Sequence, residues 1–67
     1  MKLSARNQLT AKVVAVNEGV VTTTVELDVG GQRLVASITA EAARELNLRE
    51  GMDVTAIIKA SDVIVGA

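Results

Sequence analysis

The sequence predicts a mostly β fold, a five-stranded OB-like Greek-key barrel with one short helix between strands 3 and 4. Three observations predict it. Apolar and polar residues alternate with period two in five short runs. A Gly30-Gly31 pair separates the second run from the third, and one segment between the third and fourth runs drops the alternation. A helix inserted between the third and fourth of five strands is the connectivity of that small barrel.

The first strand spans residues 9–17, with Leu9, Ala11, Val13 and Ala15 on one face. Its other face starts polar at Thr10 and Lys12 and turns apolar at Val14 and Val16. After the turn signal Asn17-Glu18-Gly19, Val21, Thr23, Val25, Leu27 and Val29 alternate with Val20, Thr22, Thr24, Glu26 and Asp28, which makes a long second strand with one wet face. Gly30-Gly31 suits a type I′ hairpin, because both central positions of that turn need positive φ. The third strand follows with Leu34, Ala36 and Ile38 inward. Residues 40–46 lack β-branched side chains, so Thr39 is expected to cap a helix of about two turns whose first turn holds Glu41. Residues 47–51 end it. Residues 52–59 form the fourth strand with Val54, Ala56 and Ile58 on one face, and residues 62–65 a short fifth.

The chain has 67 residues, and 49% of them are hydrophobic without a single Phe, Tyr or Trp. One domain covering residues 1–67 is expected. A domain this small buries only about 60% of the surface its unfolded chain exposes, and a disulfide, a metal or oligomerisation usually makes up the deficit. Cys and His are both absent. Zinc and iron–sulfur sites, thiol chemistry and His-based acid–base catalysis are therefore excluded together, no cation site is expected, and oligomerisation is the remedy left. Val14, Val16, Ile57 and Ile64 fall on second faces of strands whose first face is already apolar, which points to a subunit contact unless the barrel curls to cover both faces. The formal net charge is −1. That balance, without aromatic platforms, argues against nucleic acid as a partner. The first eight residues contain no apolar leader core and no run reaches the length of a membrane span, so a cytoplasmic protein without membrane attachment is expected.

Three polar clusters interrupt the strands. Ser4-Ala5-Arg6-Asn7 precedes the first strand; Thr39 stands at the helix start, where backbone N–H groups attract an anion; Lys59-Ala60-Ser61 joins the fourth and fifth strands. They supply positive charge and neutral donors, with no carboxylate pair, no Ser-His arrangement and no phosphate-loop spacing. No catalytic residue can be nominated, and no enzyme activity is expected. The chemistry that fits is capture of a small oxyanion, whose oxygens accept hydrogen bonds and whose charge excludes Asp and Glu from the site. Asp62, next to Ser61, would oppose an anion unless strand alternation turned it to the opposite side.

Ser4-Ala5-Arg6-Asn7-Gln8-Leu9, the Gly19-Val20-Val21 turn, Ile38-Thr39-Ala40-Glu41 and Ile58-Lys59-Ala60-Ser61-Asp62-Val63 occur in this order along the chain. In these segments the sequence resembles the molbindins, single-Mop-domain members of the TOBE group, over essentially its whole length. The resemblance implies an intracellular protein that binds molybdate, and tungstate with it, for storage and homeostasis, with no cofactor and no catalysis. It also implies a hexamer built as three dimers, with anions held between subunits. In related Mop domains one kind of site combines the first polar cluster of one subunit with the threonine and the Lys-Ala-Ser segment of another. By that resemblance the site residues are Ser4, Arg6, Asn7, Thr39, Ala42, Lys59, Ala60 and Ser61. A second kind of site, near the threefold axis, would use Gly19, Val20, Val21 and Thr22.

The chain departs from the family in two segments. Its usual turn reads Gly-Ala-Val-Asn, so Thr22 replaces an asparagine. Relatives commonly carry serine where this chain has Ala42, which leaves only a backbone N–H to offer there. Two other readings stand beside storage: an interaction module that merely oligomerises, and an anion-sensing module acting with a partner in trans.

Overall fold

A computed structural model describes residues 2–67; Met1, the first residue of the stretch read for a leader, lies outside the described residues. The order of elements is β1 (Asn7–Glu18), β2 (Thr22–Val29), β3 (Gln32–Thr39), α1 (Ala40–Glu45), β4 (Asp53–Ile58) and a 3-10 turn (Ala60–Asp62). The strands form one antiparallel sheet in the order β3-β2-β1-β4.

β1 organises the sheet by changing partner along its length. Asn7 to Lys12 pair with β4, and Lys12 to Glu18 pair with β2. At the changeover the register slips between Val13 and Ala15, so Val14 is an extra, bulged residue. Val13 stays tied to the approach to β4, its N–H donating to the Met52 carbonyl at 2.9 Å and its carbonyl accepting from Gly51 N–H at 2.8 Å. A bulge increases local twist, and here it curls the sheet around its apolar face.

The bulge also corrects the predicted faces of β1. It moves Val16 to the core side, where it packs against the core, while Val14 remains outside and 48% exposed. Val16 is therefore not part of the outward apolar surface; Val14 and Ile57 are, while Ile64, expected on a strand face, is exposed on the tail beyond the last strand. Ala11, Val13, Val25 and Leu27 form the buried centre, flanked by half-buried Leu34, Ala36, Ile38, Val54 and Ala56. Burying one Val or Leu side chain contributes about 1.5–3 kcal/mol. The opposite face also carries a charged row: Asp53, Lys12, Asp28 and Arg33 stand in register across the four strands with alternating sign. Lys12 Nζ lies 3.3 Å from Asp53, and Arg33 Nε donates to Glu26 at 2.6 Å.

The hairpin at Gly30-Gly31 is as expected, with φ of 58° and 91°. The first turn falls two residues later than the alternation implied. β2 begins at Thr22, leaving Val20 and Val21 in the turn, and Gly19 N–H donates to the Thr22 carbonyl at 2.9 Å. α1 is capped by Thr39, whose Oγ1 accepts from Ala42 N–H at 3.1 Å. Buried Ala40 and Ala43 let the helix seat closely on the sheet, and Asn47 ends it in the left-handed region with φ of 54°.

The predicted fifth strand is absent, and with it the closed barrel. Residues 62–65 divide between the 3-10 turn and an unpaired tail. Asp62 N–H donates to the Lys59 carbonyl at 2.9 Å, a tight turn that takes the chain off the sheet. Val63 keeps extended dihedrals (φ −87°, ψ 126°), so the local preference of Val63-Ile64-Val65 is β-like while no strand edge pairs with it. The sheet is left open with β3 and β4 as its edges. Between them lies an apolar trough of about 730 Å³, walled by Leu34, Ala36 and Ile38 from β3 and Val54, Ala56 and Ile58 from β4.

Candidate functional site

The sheet register sorts the predicted site residues into two groups. Asn7 pairs with Ile58, so the segments leading out of β1 and β4 run side by side. Ser4, Arg6 and Asn7 thereby share one end of the sheet with Lys59, Ala60 and Ser61. Asn7 Nδ2 donates to the Ile58 carbonyl at 3.1 Å, a bond that ties the two segments together. Its amide nitrogen is thus a brace between the clusters, a role the alternation did not reveal. Arg6 and Lys59 are both exposed, and neither enters either of the ion pairs formed among the described residues. Two uncompensated cations and two hydroxyls, those of Ser4 and Ser61, therefore face water at one end.

The second group gathers at the opposite end. Thr22 pairs with Thr39 across β2 and β3, and Ala40 N–H donates to the Val21 carbonyl at 2.8 Å. This places Thr39 and Ala42 beside the Gly19, Val20, Val21 and Thr22 turn. Val20 is 97% exposed, an apolar tip presented to water. Gly19 is required there because a Cβ would run into the Thr22 carbonyl oxygen. The Ala42 N–H, nominated as an anion donor, is already engaged by Thr39 Oγ1. That bond uses a lone pair and leaves the Thr39 hydroxyl proton to donate elsewhere. The serine and threonine preference for helix caps is the sequence signal for this arrangement.

The two ends are far apart. β1 alone has 12 residues, and at about 3.3 Å of rise each its termini stand on the order of 30 Å apart. The longest dimension of the molecule is 33 Å. Within one chain, the Arg6 and Lys59 donors and the Thr39 donor cannot meet on one small anion. Each end holds only part of the predicted donor set, with Thr39 apart from the Lys59-Ala60-Ser61 segment it was expected to join, and a tetrahedral ligand touching both groups would have to lie between copies.

Among the described residues no cluster of His, Cys, Asp and Glu could hold a metal ion, and no helix is long and apolar enough to cross a membrane. The fold and its ends define a small open β-sheet module bearing exposed cationic and hydroxyl donors. The chain belongs to the TOBE domain family, whose model matches residues 3–65. It is 48% identical over 67 residues to a Haemophilus influenzae protein named "Probable molybdenum-pterin-binding protein", covering 98% of this chain and 97% of that one. A molybdate-binding protein from Sporomusa ovata has the same fold, with a TM-score of 0.96 and 39% identity over the whole of both chains. A third similar structure is the cytoplasmic molybdate-binding protein ModG with molybdate bound, at 44% identity and a TM-score of 0.86 over 90% of this chain and 43% of that one.

Proposed function

We propose that this chain binds molybdate, and tungstate with it, at contacts between copies of itself, as an intracellular store that buffers the free anion. The carrying observation is the division of oxyanion donors between opposite ends of a single sheet. Relatives named for molybdenum and molybdate support the ligand. Arg6 and Lys59 supply the charge that offsets a dianion, while the Ser4, Thr39 and Ser61 hydroxyls and the Ala60 amide orient it. Gly19, Val20, Val21 and Thr22 form a second site where several copies meet, with the Gly19 N–H already held by the Thr22 carbonyl.

The same geometry supports assembly. The trough between β3 and β4 is apolar and bordered by two unpaired strand edges. Val63-Ile64-Val65 has the matching chemistry and no place on its own sheet, with Ile64 94% exposed. The tail of one copy filling the trough of another would cover both surfaces, and a hexamer of three dimers is the assembly we expect. The protein acts in the cytoplasm, as one domain over residues 1–67, without catalysis and without a cofactor of its own.

The trough also favours a second reading, a module that oligomerises and has lost the anion. Native mass spectrometry with molybdate, against sulfate at matched ionic strength, separates the two. A hexamer that gains discrete molybdate masses supports the store. An assembly that ignores molybdate supports the interaction module, and a monomer that binds nothing defeats both.

A further inference from the structure

We infer that Asp62 sets the strength and the charge selectivity of the oxyanion site, as a repulsive charge built into the Lys59-Ala60-Ser61 turn; this rests on the oxyanion reading above. Had residues 62–65 continued as a strand, alternation would have carried Asp62 to the side opposite Ser61. The chain turns instead. Asp62 N–H donates to the Lys59 carbonyl at 2.9 Å and Val63 N–H to the Ala60 carbonyl at 3.2 Å. In a turn closed this way the first and fourth Cα atoms lie within about 7 Å. Asp62 is therefore held within one turn of Lys59 and next to Ser61.

Its charge is not cancelled there. Lys59 and Asp62 are both exposed, and the ion pairs among the described residues involve neither. Asp62 also sits on the rim of the trough beside Ile58 and Val63. When a second copy covers that trough, water leaves one side of the carboxylate and its field reaches further. An anion drawn to Lys59 and Ser61 thus meets a fixed negative charge about one turn away.

The repulsion scales with ligand charge, so it weakens a dianion twice as strongly, on a logarithmic scale, as a monoanion. For an anion and a carboxylate taken about 7 Å apart in a water-like dielectric, the repulsion lowers dianion affinity about sevenfold and monoanion affinity about threefold, falling to about threefold and about 1.6-fold in 0.1 M salt. Asp62 makes the site release its dianion more readily than the donors alone would.

The test is titration calorimetry of the parent, Asp62→Asn and Asp62→Glu with molybdate, a tetrahedral dianion, and perrhenate, a tetrahedral monoanion, at low salt and at about 0.1 M. Asp62→Asn should tighten molybdate by the factors above and perrhenate by their square root, with both gains shrinking as salt rises. Asp62→Glu should bind as the parent does. An unchanged or weakened Asp62→Asn overturns the inference, as does an equal gain for both anions or a gain indifferent to salt, since either would trace to the shape of the turn. A parent that binds neither anion defeats the oxyanion reading and this inference with it, whereas a parent that binds normally beside an inert Asp62→Asn defeats the inference alone.

Discussion

Thr23 is completely buried in β2, and its Oγ1 has no hydrogen-bond partner. Its neighbours across the sheet are Glu18 and Ile38, and the pattern Val21, Thr23, Val25, Leu27 puts it in a row of otherwise apolar side chains. An unsatisfied buried hydroxyl costs about 1–3 kcal/mol. Thr23→Val replaces that hydroxyl with a methyl of nearly equal volume, keeps the β-branch and opens no cavity. The variant should be more stable by about 1–2 kcal/mol, which for a domain of 60–100 residues raises Tm by roughly 4–8 °C per kcal/mol. Thr23→Ser separates hydroxyl from shape: it keeps the polar atom, deletes a methyl from a packed site and should destabilise by about 1 kcal/mol. Differential scanning calorimetry at one fixed protein concentration is the assay, because association makes Tm concentration-dependent. A Thr23→Val protein less stable than its parent would refute the reasoning and mean that the hydroxyl bonds to a water or to another copy.

Arg6→Ala should weaken molybdate binding more than Ser61→Ala does, because it removes a counter-charge rather than one neutral donor; isothermal titration giving Arg6→Ala the parent's affinity would contradict the assignment. Leu27→Ala, at the buried centre, should cost about 2–5 kcal/mol in urea denaturation, and a loss under 1 kcal/mol would mean that the trough collapses to fill the gap. Gly19→Ala forces a Cβ against the Thr22 carbonyl and should shift the amide resonances of residues 18–22 while leaving those of the Gly30-Gly31 hairpin in place. Thr39→Ala removes the cap bond to Ala42 and should destabilise by about 1 kcal/mol, with a loss of helical circular dichroism as a second readout.

Local preferences were legible in the sequence wherever one residue type dictates one conformation. Gly30-Gly31 announced its hairpin, Thr39 its cap, and the inward faces of β3 and β4 followed from strict alternation. The bulge at Val14 was not legible, because Val13-Val14 reads as two residues of a continuous strand, and only the pairing of β1 with β2 shows that one is surplus. The tail failed differently. Val63 is extended as a β-branched residue favours, yet a strand exists only with an edge to pair with, and propensity carries no information about that edge. The site residues were nominated by residue type and resemblance, and their division between two ends became visible only once Asn7 was seen opposite Ile58 and Thr22 opposite Thr39.

The partner change along β1 has a consequence for the order in which the molecule comes together. The β1–β2 and β2–β3 pairings are hairpins whose strands meet across short turns, whereas Asn7 and Ile58 are separated by 51 positions. Closing so long a loop costs more chain entropy than closing a hairpin, so the pairing of β1 with β4 should form late. By the same reasoning it opens first, in native-state fluctuations smaller than global unfolding. The end of the sheet that carries Arg6 and Lys59 is thus the last to be organised and the first to loosen, while the end with Thr39 and the Gly19 turn rests on the earliest hairpins. Hydrogen exchange should therefore be faster at Leu9 and Ile57 than at Val25 and Ala36, and an anion held at the Lys59 end would slow exchange most where the sheet is otherwise loosest.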